Sequence, residues 1–217
     1  SFVHELKTPL TSIIGYADML RSGNLGEDMR FKAASYIFSE GKRLENLSLA
    51  LMSLLVVGHS TADARPVNMR RLCQEAGRIC QPAMRAKGLT LSVRAEEGLL
   101  RGDAALLQTL LQNLLDNARK ATDSGGQVVL AGRKDKEGYR ITVADQGRGI
   151  PEGELNKITE PFYMVDKSRS RAEGGAGLGL ALCKQIAALH GGELRFESRE
   201  GRGTTVTVEL GGVADAQ

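Results

Sequence analysis

Residues 107–120 alternate apolar and polar positions with a helical period. At about 100° per residue, Leu107, Leu111, Leu114, Leu115 and Ala118 fall on one side, and Asn113, Asp116, Asn117 and Lys120 on the other. The leucine side can be buried against a sheet. The opposite side sets two amides, a carboxylate and an ammonium along one line, at spacings of three and four residues. Asn is a mediocre helix former, and a solvated face more often carries Lys and Glu. By itself this line fits a binding site and an ordinary wet face equally well.

The other elements follow from the same patterning. Val3, Leu6, Leu10, Ile13, Ala17 and Leu20 repeat with the 3-4 spacing of a heptad seam. Residues 21–28 (RSGNLGED) break it, and a second helix to about Gly58 carries Ile37, Leu44, Leu47, Leu51 and Leu54. Two seamed helices on a short loop predict a hairpin. One hairpin covers its own seam poorly, whereas two make a four-helix bundle, so a homodimer through residues 1–58 is expected. Residues 59–68 are small and polar and contain Pro66, which reads as a linker. The expected organisation is a hairpin over 1–58, a linker over 59–65, a second domain over 66–213 and a tail over 214–217.

Within the second domain, Asn68 can cap a helix to about Ala86 and Gly88 can end it. Pro82 should bend that helix or stop it early. Residues 89–94 alternate as a strand, and Asp103 is placed to cap the leucine and asparagine helix. Residues 127–133 and 139–144 read as paired strands. Residues 146–176 have no long periodicity, which in a compact domain marks a functional or mobile loop. A helix over 177–190 and a hairpin of 193–198 with 204–210 close the chain. The predicted fold class is α+β: a two-helix hairpin, then an α/β sandwich with a mixed sheet and about three helices on one face.

Composition narrows the function. The 217 residues are 41% hydrophobic but only 4% aromatic, with no Trp, so the core must be aliphatic. A net charge of +3 from 29 basic and 26 acidic residues, without a basic block, argues against nucleic acid. Cys73, Cys80 and Cys183 have no CxxC spacing, and Cys73 and Cys80, seven apart on one helix face, suit buried thiols in a reducing compartment. No apolar run reaches transmembrane length and no signal peptide is visible; the first residues already read as helix, as in a piece of a longer protein.

Three further stretches carry chemistry. DQGRGIP over 145–151 sets Asp145 at a strand end before Gly147 and Gly149, which permit close backbone approach. Such a carboxylate can accept from an exocyclic amine, although a plain strand-ending turn has the same pattern. GGAGLGL over 174–180 runs into an apolar helix, and free N–H groups at a helix start suit phosphate. It is neither a Walker-type loop nor the GxGxxG fingerprint. SFVHELKTPL over 1–10 puts His4, Thr8 and Thr11 on one helical face. Pro9 either bends that helix or, with Thr8, starts it and leaves His4 in a frayed tail. His59 and His190 sit at helix ends, where a cap on terminal carbonyls is expected rather than a ligand role.

The order of these stretches decides between the readings. A histidine in HELKTPL, then NLLDNARK, DQGRGIP, EPFYMVD and GGAGLGLAL: the set resembles the bacterial sensor histidine kinases of two-component systems, over nearly the whole chain. The resemblance implies a dimerisation and histidine phosphotransfer hairpin, followed by the ATP-binding fold shared with gyrase, the Hsp90 chaperones and mismatch-repair ATPases. His4 matches the phosphoacceptor, Glu5 the acidic neighbour that orients the ring and takes its proton, and Thr8 the position tied to regulator dephosphorylation. Lys7 stands where many members have Arg. Asn117 matches the Mg²⁺ ligand and Asn113 the residue that helps hold it. Lys120 matches the basic residue that reaches the phosphates, and Asp116 has no fixed role.

Asp145 matches the carboxylate that reads the adenine amine, in a pocket shaped by Gly147 and Gly149. Residues 150–175 match a mobile lid, anchored by Phe162, with Arg169 or Arg171 reaching the phosphates. Gly175, Gly177, Leu178 and Gly179 lead from the lid into its helix, and Gly201, Gly203 and Thr204 lie beside the base. The implied activity is ATP-dependent autophosphorylation, with Mg²⁺, followed by phosphoryl transfer to an aspartate of a response-regulator receiver domain, with regulator phosphatase activity. The implied place is the cytoplasmic portion of a bacterial sensor kinase, with no membrane contact in this stretch and with anchoring of the full-length protein in the inner membrane left open. Only three residues precede His4, where the family has further helical turns. The alternatives are a same-superfamily ATPase or serine kinase, whose members typically carry Glu where Asn113 stands, and a non-catalytic dimeric scaffold.

Overall fold

A computed structural model of the chain describes residues 2–23, 25–59, 64–135, 138–166 and 177–211. Helix α1 (Phe2–Arg21) and helix α2 (Glu27–His59) form the expected hairpin. Pro9 lies inside α1 and is buried, so the helix does not begin there. The seam of α1 splits into two rows. Leu6, Ile13 and Leu20 are half-buried toward α2, whereas Leu10 and Ala17 are exposed, with Ile14 beside them. The stacked rings of Tyr16 and Tyr36, 4.8 Å between centroids, join the two helices. Ile37, Leu44 and Leu51 are half-buried, and Leu47 is fully buried where α2 packs on the rest of the chain. The side chains of Val3, Leu54 and His59 lie outside the described residues.

Residues 65–68, read as linker, instead form strand β1 (Arg65–Asn68). It pairs antiparallel with β3 (Leu99–Gly102), a strand that the pattern did not announce. Both have four residues, too short for alternation to register, and Pro66 lowers strand propensity. Helix α3 (Met69–Ala86) is capped by Asn68, whose side chain accepts from the Arg71 N–H at 3.0 Å, a contact worth about 1 kcal/mol. Gly88, at φ +72°, ends it, with the Leu89 N–H bonded back to the Met84 carbonyl at 2.9 Å. Pro82 does not stop the helix. Pro82 and Arg78 both face solvent, so water can satisfy the Arg78 carbonyl that Pro82 cannot.

Strand β2 (Thr90–Ala95) is followed by β3 and by helix α4 (Ala104–Ala121), the amphipathic helix of the opening pattern. Asp103 caps α4 by accepting from the N–H groups of Ala105 and Leu106 at 2.9 and 3.1 Å. Strands β4 (Gln127–Asp135) and β5 (Gly138–Asp145), helix α5 (Gly179–Leu189), and strands β6 (Glu193–Arg199) and β7 (Gly203–Leu210) complete the chain. The five-stranded sheet has the order β2-β4-β5-β7-β6. Only β2 and β4 are parallel, so the sheet is mixed.

Helices α3, α4 and α5 pack on the sheet. Val128, Leu130, Ile141, Val143 and Val208 meet the leucines of α4 in an aliphatic core. Leu110 is buried along with the five apolar residues of the predicted stripe, because α5 covers a second flank of α4. The helix-covered side therefore holds Leu107 to Ala118 inward and leaves Asn113, Asn117 and Lys120 along an open edge between α4, α5 and the end of β5.

Candidate functional site

That edge bounds a cavity of about 590 Å³. Asn113, Asn117 and Lys120 line it from α4, Asp145 from the end of β5, Gly149 from the following loop, Gly177, Leu178 and Gly179 from the start of α5, and Thr204 from β7. Residues some 90 apart in sequence thus meet in one place, because β5 lies between β4 and β7 and α4 crosses it.

Local bonds fix the polar atoms. The Asn113 side-chain amide donates to the Thr109 carbonyl at 2.9 Å, one turn back. Its Oδ1 is thereby turned toward Gly179, where an added Cβ would stand only 2.9 Å away. Asn117 Nδ2 is buried and has no hydrogen-bond partner among the described residues. A buried, unpaired amide is costly unless something else occupies its hydrogen bond. Lys120 Nζ lies 2.8 Å from Asp116 Oδ2, within an ion-paired cluster that includes Arg119.

Asp145 Oδ1 accepts the backbone N–H groups of Gly147 at 2.8 Å and Thr204 at 3.3 Å. Its Oδ2 has no hydrogen-bond partner among the described residues. Burial pushes the Asp145 carboxyl above its ordinary value, against the pull of those two N–H groups and of the nearby Arg148 charge. A half-buried carboxylate with one oxygen held and the other free is an acceptor in search of a donor.

The loop that follows is held tightly. Gly149, at φ +70°, passes so close to the Arg199 carbonyl that a Cβ would lie 2.1 Å from its oxygen. Phe162 and Gly177 both have φ near +69°, and the Phe162 N–H donates to the Gly177 carbonyl at 2.8 Å. Phe162 packs on the core rather than lining the cavity, so it ties the two ends of the segment 163–176 together. Gly147 likewise sits behind Asp145 rather than on the cavity wall. Arg169, Arg171 and Gly175 lie outside the described residues, as do the side chains of His4 and Glu5. His4 and Glu5 are in α1, and Thr8 is exposed one turn on, away from the cavity.

Two contributors were not legible in the sequence. Ser198 Oγ accepts the Ile150 N–H at 2.8 Å, donates to the Gly203 carbonyl at 3.0 Å and meets Thr204 Oγ1 at 2.8 Å. It ties the loop after Asp145 to the β6–β7 turn. Only the register that sets Ser198 opposite Thr204 reveals it. Arg148 lines the cavity and has a buried Nη1 without a partner among the described residues; as the variable letter between two glycines it carried no pattern.

A helical hairpin followed by a helix-covered mixed sheet, with a cavity walled by amides, a half-held carboxylate and a glycine-led helix start, defines a nucleotide-binding module joined to a helical arm. Residues 102–212 match the histidine kinase-, DNA gyrase B- and HSP90-like ATPase family, and residues 1–54 match the His Kinase A (phospho-acceptor) domain. The chain belongs to the sensor histidine kinases of two-component systems. It is 33% identical to the signal transduction histidine-protein kinase BaeS of Escherichia coli K12, over 95% of this chain and 44% of that protein. The full-length kinase ShkA, solved in complex with AMPPNP, superposes with a TM-score of 0.72 at 26% identity, covering 98% of this chain and 45% of that one. The fold is also that of histidine kinase ThkA, solved in complex with the response regulator protein TrrA: TM-score 0.78, 23% identity, 96% of this chain and 59% of that one. The chain spans only part of such relatives, 44% of BaeS and 27% of the sensor protein DivL of Caulobacter vibrioides.

Proposed function

We propose that this chain binds ATP with Mg²⁺ in the α4–α5 cavity, moves the γ-phosphoryl group to His4, and passes it to an aspartate of a response-regulator receiver domain. One observation carries the reading: Asn117, with its unpaired amide, and Asp145, with Oδ1 held and Oδ2 free, line the same cavity, so one ligand can offer phosphate to the first and an exocyclic amine to the second. The Asn residue at 113 also separates the chain from relatives in which Glu at that position activates water.

The donor set suits magnesium. Among the described residues no cluster of three His, Cys, Asp or Glu could hold a metal. Asn113, with Oδ1 turned to the site, and Asn117 would supply one or two oxygens, and Mg²⁺ completes its shell with phosphate and water. Bound there, Mg²⁺ would neutralise charge on the phosphates. Lys120 lends a second positive charge, Asp145 orients the base, and the Phe162–Gly177 hydrogen bond fixes the backbone leading into α5 beside the cavity.

In the transfer, a neutral imidazole nitrogen of His4 forms the P–N bond as the bond to the β-phosphate oxygen breaks and ADP leaves. Glu5 takes the imidazole proton. A receiver aspartate then attacks the phosphorus and the P–N bond breaks. Thr8, exposed one turn beyond His4, positions a water for the reverse duty of regulator dephosphorylation. The exposed row of Leu10, Ile14, Phe31 and Phe38 supports a homodimer over 1–58, in which a second hairpin covers it. No described helix is long and apolar enough to cross a membrane; we assign the chain to the cytoplasmic portion of a protein anchored in the bacterial inner membrane. The domain limits proposed are 1–58 and 66–213.

The test is incubation with γ-labelled ATP, then an acid-lability assay and a panel of purified receiver domains. Acid-labile label lost in His4→Gln and handed to one receiver is the expected result. Acid-stable label, or label retained in His4→Gln, overturns it.

A further inference from the structure

Asp116 faces the same cavity as Asn117 and Lys120, and nothing in the sequence pattern assigned it a task. Its two oxygens are divided between two cations. Oδ1 accepts from Arg119 Nε at 2.9 Å and Nη2 at 2.7 Å, and Oδ2 pairs with Lys120 Nζ at 2.8 Å. Of these cations only Lys120 lines the cavity.

The cluster is braced from outside. Lys87, just beyond α3, donates its ammonium to the carbonyls of Arg119 and Lys120 at 2.8 and 3.1 Å. The last turn of α4 is thus fastened to α3, and Asp116 is fastened within that turn by the guanidinium of Arg119. What remains adjustable is the four-carbon stem of Lys120. A free lysine loses much rotamer freedom when it settles on a ligand. One held by a carboxylate on the cavity wall has lost it beforehand, and binding then costs less. The local charge still favours an anion, since one carboxylate stands against two cations.

We propose that Asp116 is a positioning residue that holds the Lys120 ammonium in place for the nucleotide phosphates. The proposal rests on the reading of the cavity as an ATP site. Arg119 acts one step further back, steering Asp116 so that Oδ2 rather than Oδ1 is left for Lys120. A site built this way selects for phosphate and not for the base.

Binding of AMPPNP with Mg²⁺, and separately of adenosine, is measured by calorimetry on the whole chain and on Asp116→Asn, Asp116→Glu, Lys120→Met and the Asp116→Asn, Lys120→Met double variant. Asp116→Asn should weaken AMPPNP by on the order of fivefold, the range of a partly exposed ion pair, and leave adenosine unchanged. Asp116→Glu keeps an i,i+4 acid–base pair and should restore most of the loss. In the Lys120→Met background Asp116→Asn should add nothing. AMPPNP affinity unchanged in Asp116→Asn overturns the proposal, as does an equal loss with and without Lys120. Failure of the unaltered chain to bind AMPPNP overturns the ATP reading and the proposal together, which separates the two kinds of failure.

Discussion

The imidazole of His190 accepts the backbone N–H of Asp103 at 3.0 Å across 87 residues of sequence. Its other nitrogen, Nδ1, meets the Ile186 carbonyl at 2.8 Å, so Nδ1 carries the proton and Nε2 is the acceptor. The end of α5 is thus bolted to the cap of α4. Because His190 is fully buried, His190→Ala removes both bonds and leaves a hole. A loss of about 2–4 kcal/mol is expected in denaturant unfolding. A loss within experimental error of zero would show that the bolt carries no weight.

Asp145 predicts a trade between binding and stability. Asp145→Asn should weaken ATP by about tenfold to a hundredfold, the range for a hydrogen bond to a charged acceptor. It should also raise the melting temperature at neutral pH. Burial lifts the carboxyl's folded pKa above its unfolded one, so its contribution to stability is full below the unfolded value and is lost as pH rises through the folded value. The variant's advantage should therefore vanish in acid. Melting curves from acid to neutral pH check the sign, and an advantage that grows in acid refutes it.

Gly149 is a position on the cavity wall where a methyl group should do harm. At φ +70°, with the Arg199 oxygen 2.1 Å from where a Cβ would stand, Gly149→Ala should cost about 2 kcal/mol or more. Gly153 is the control, since a Cβ there meets nothing within 4 Å; Gly153→Ala should stay within about 0.5 kcal/mol. Thermal melts of the two variants, with ATP titrations on each, separate a strained loop from a general intolerance of change.

The split seam of α1 bears on assembly. Ile14 and Phe38 are 60% and 70% exposed, far more than an apolar heptad row leaves open inside a bundle. Ile14→Glu with Phe38→Glu should turn the expected dimer into a monomer in light scattering and leave nucleotide binding intact. A dimer that survives both charges would place its interface elsewhere.

Thr8→Ala should leave autophosphorylation within about twofold while slowing regulator dephosphorylation by an order of magnitude or more, since a lost positioning hydroxyl costs its whole contribution. Equal dephosphorylation rates for the two proteins would remove Thr8 from that role.

Much of the architecture was legible because burial is periodic. The α4 stripe, the β4 and β5 alternation, and the caps at Asn68 and Asp103 each express a local rule, and each is where the pattern put it. The strands β1 and β3 were not, because four residues are too few for a period to declare itself. Of the bend or early end that Pro82 announced, the early end did not occur, because propensity counts the lost bond but not the solvent that can reach the exposed carbonyl. The candidate site was legible as an ordered set of motifs, though no single one of them sufficed.

What the sequence by itself determined is which residues could act: the amides of Asn113 and Asn117 on one helix face, Asp145 at a strand end, the glycines around it, and His4 in a helical arm. Spacing sets the helix faces and the strand end, and the order of the motifs, through the family that they resemble, singles these residues out. Which of them share a cavity, and which hold the others in place, was decided by tertiary structure. Ser198 locks Ile150 to Thr204, and His190 holds the residue that caps a distant helix. These bonds join segments, or choose between rotamers, whose distances exist only once the helices have been laid on the sheet, and no one-dimensional pattern encodes a distance.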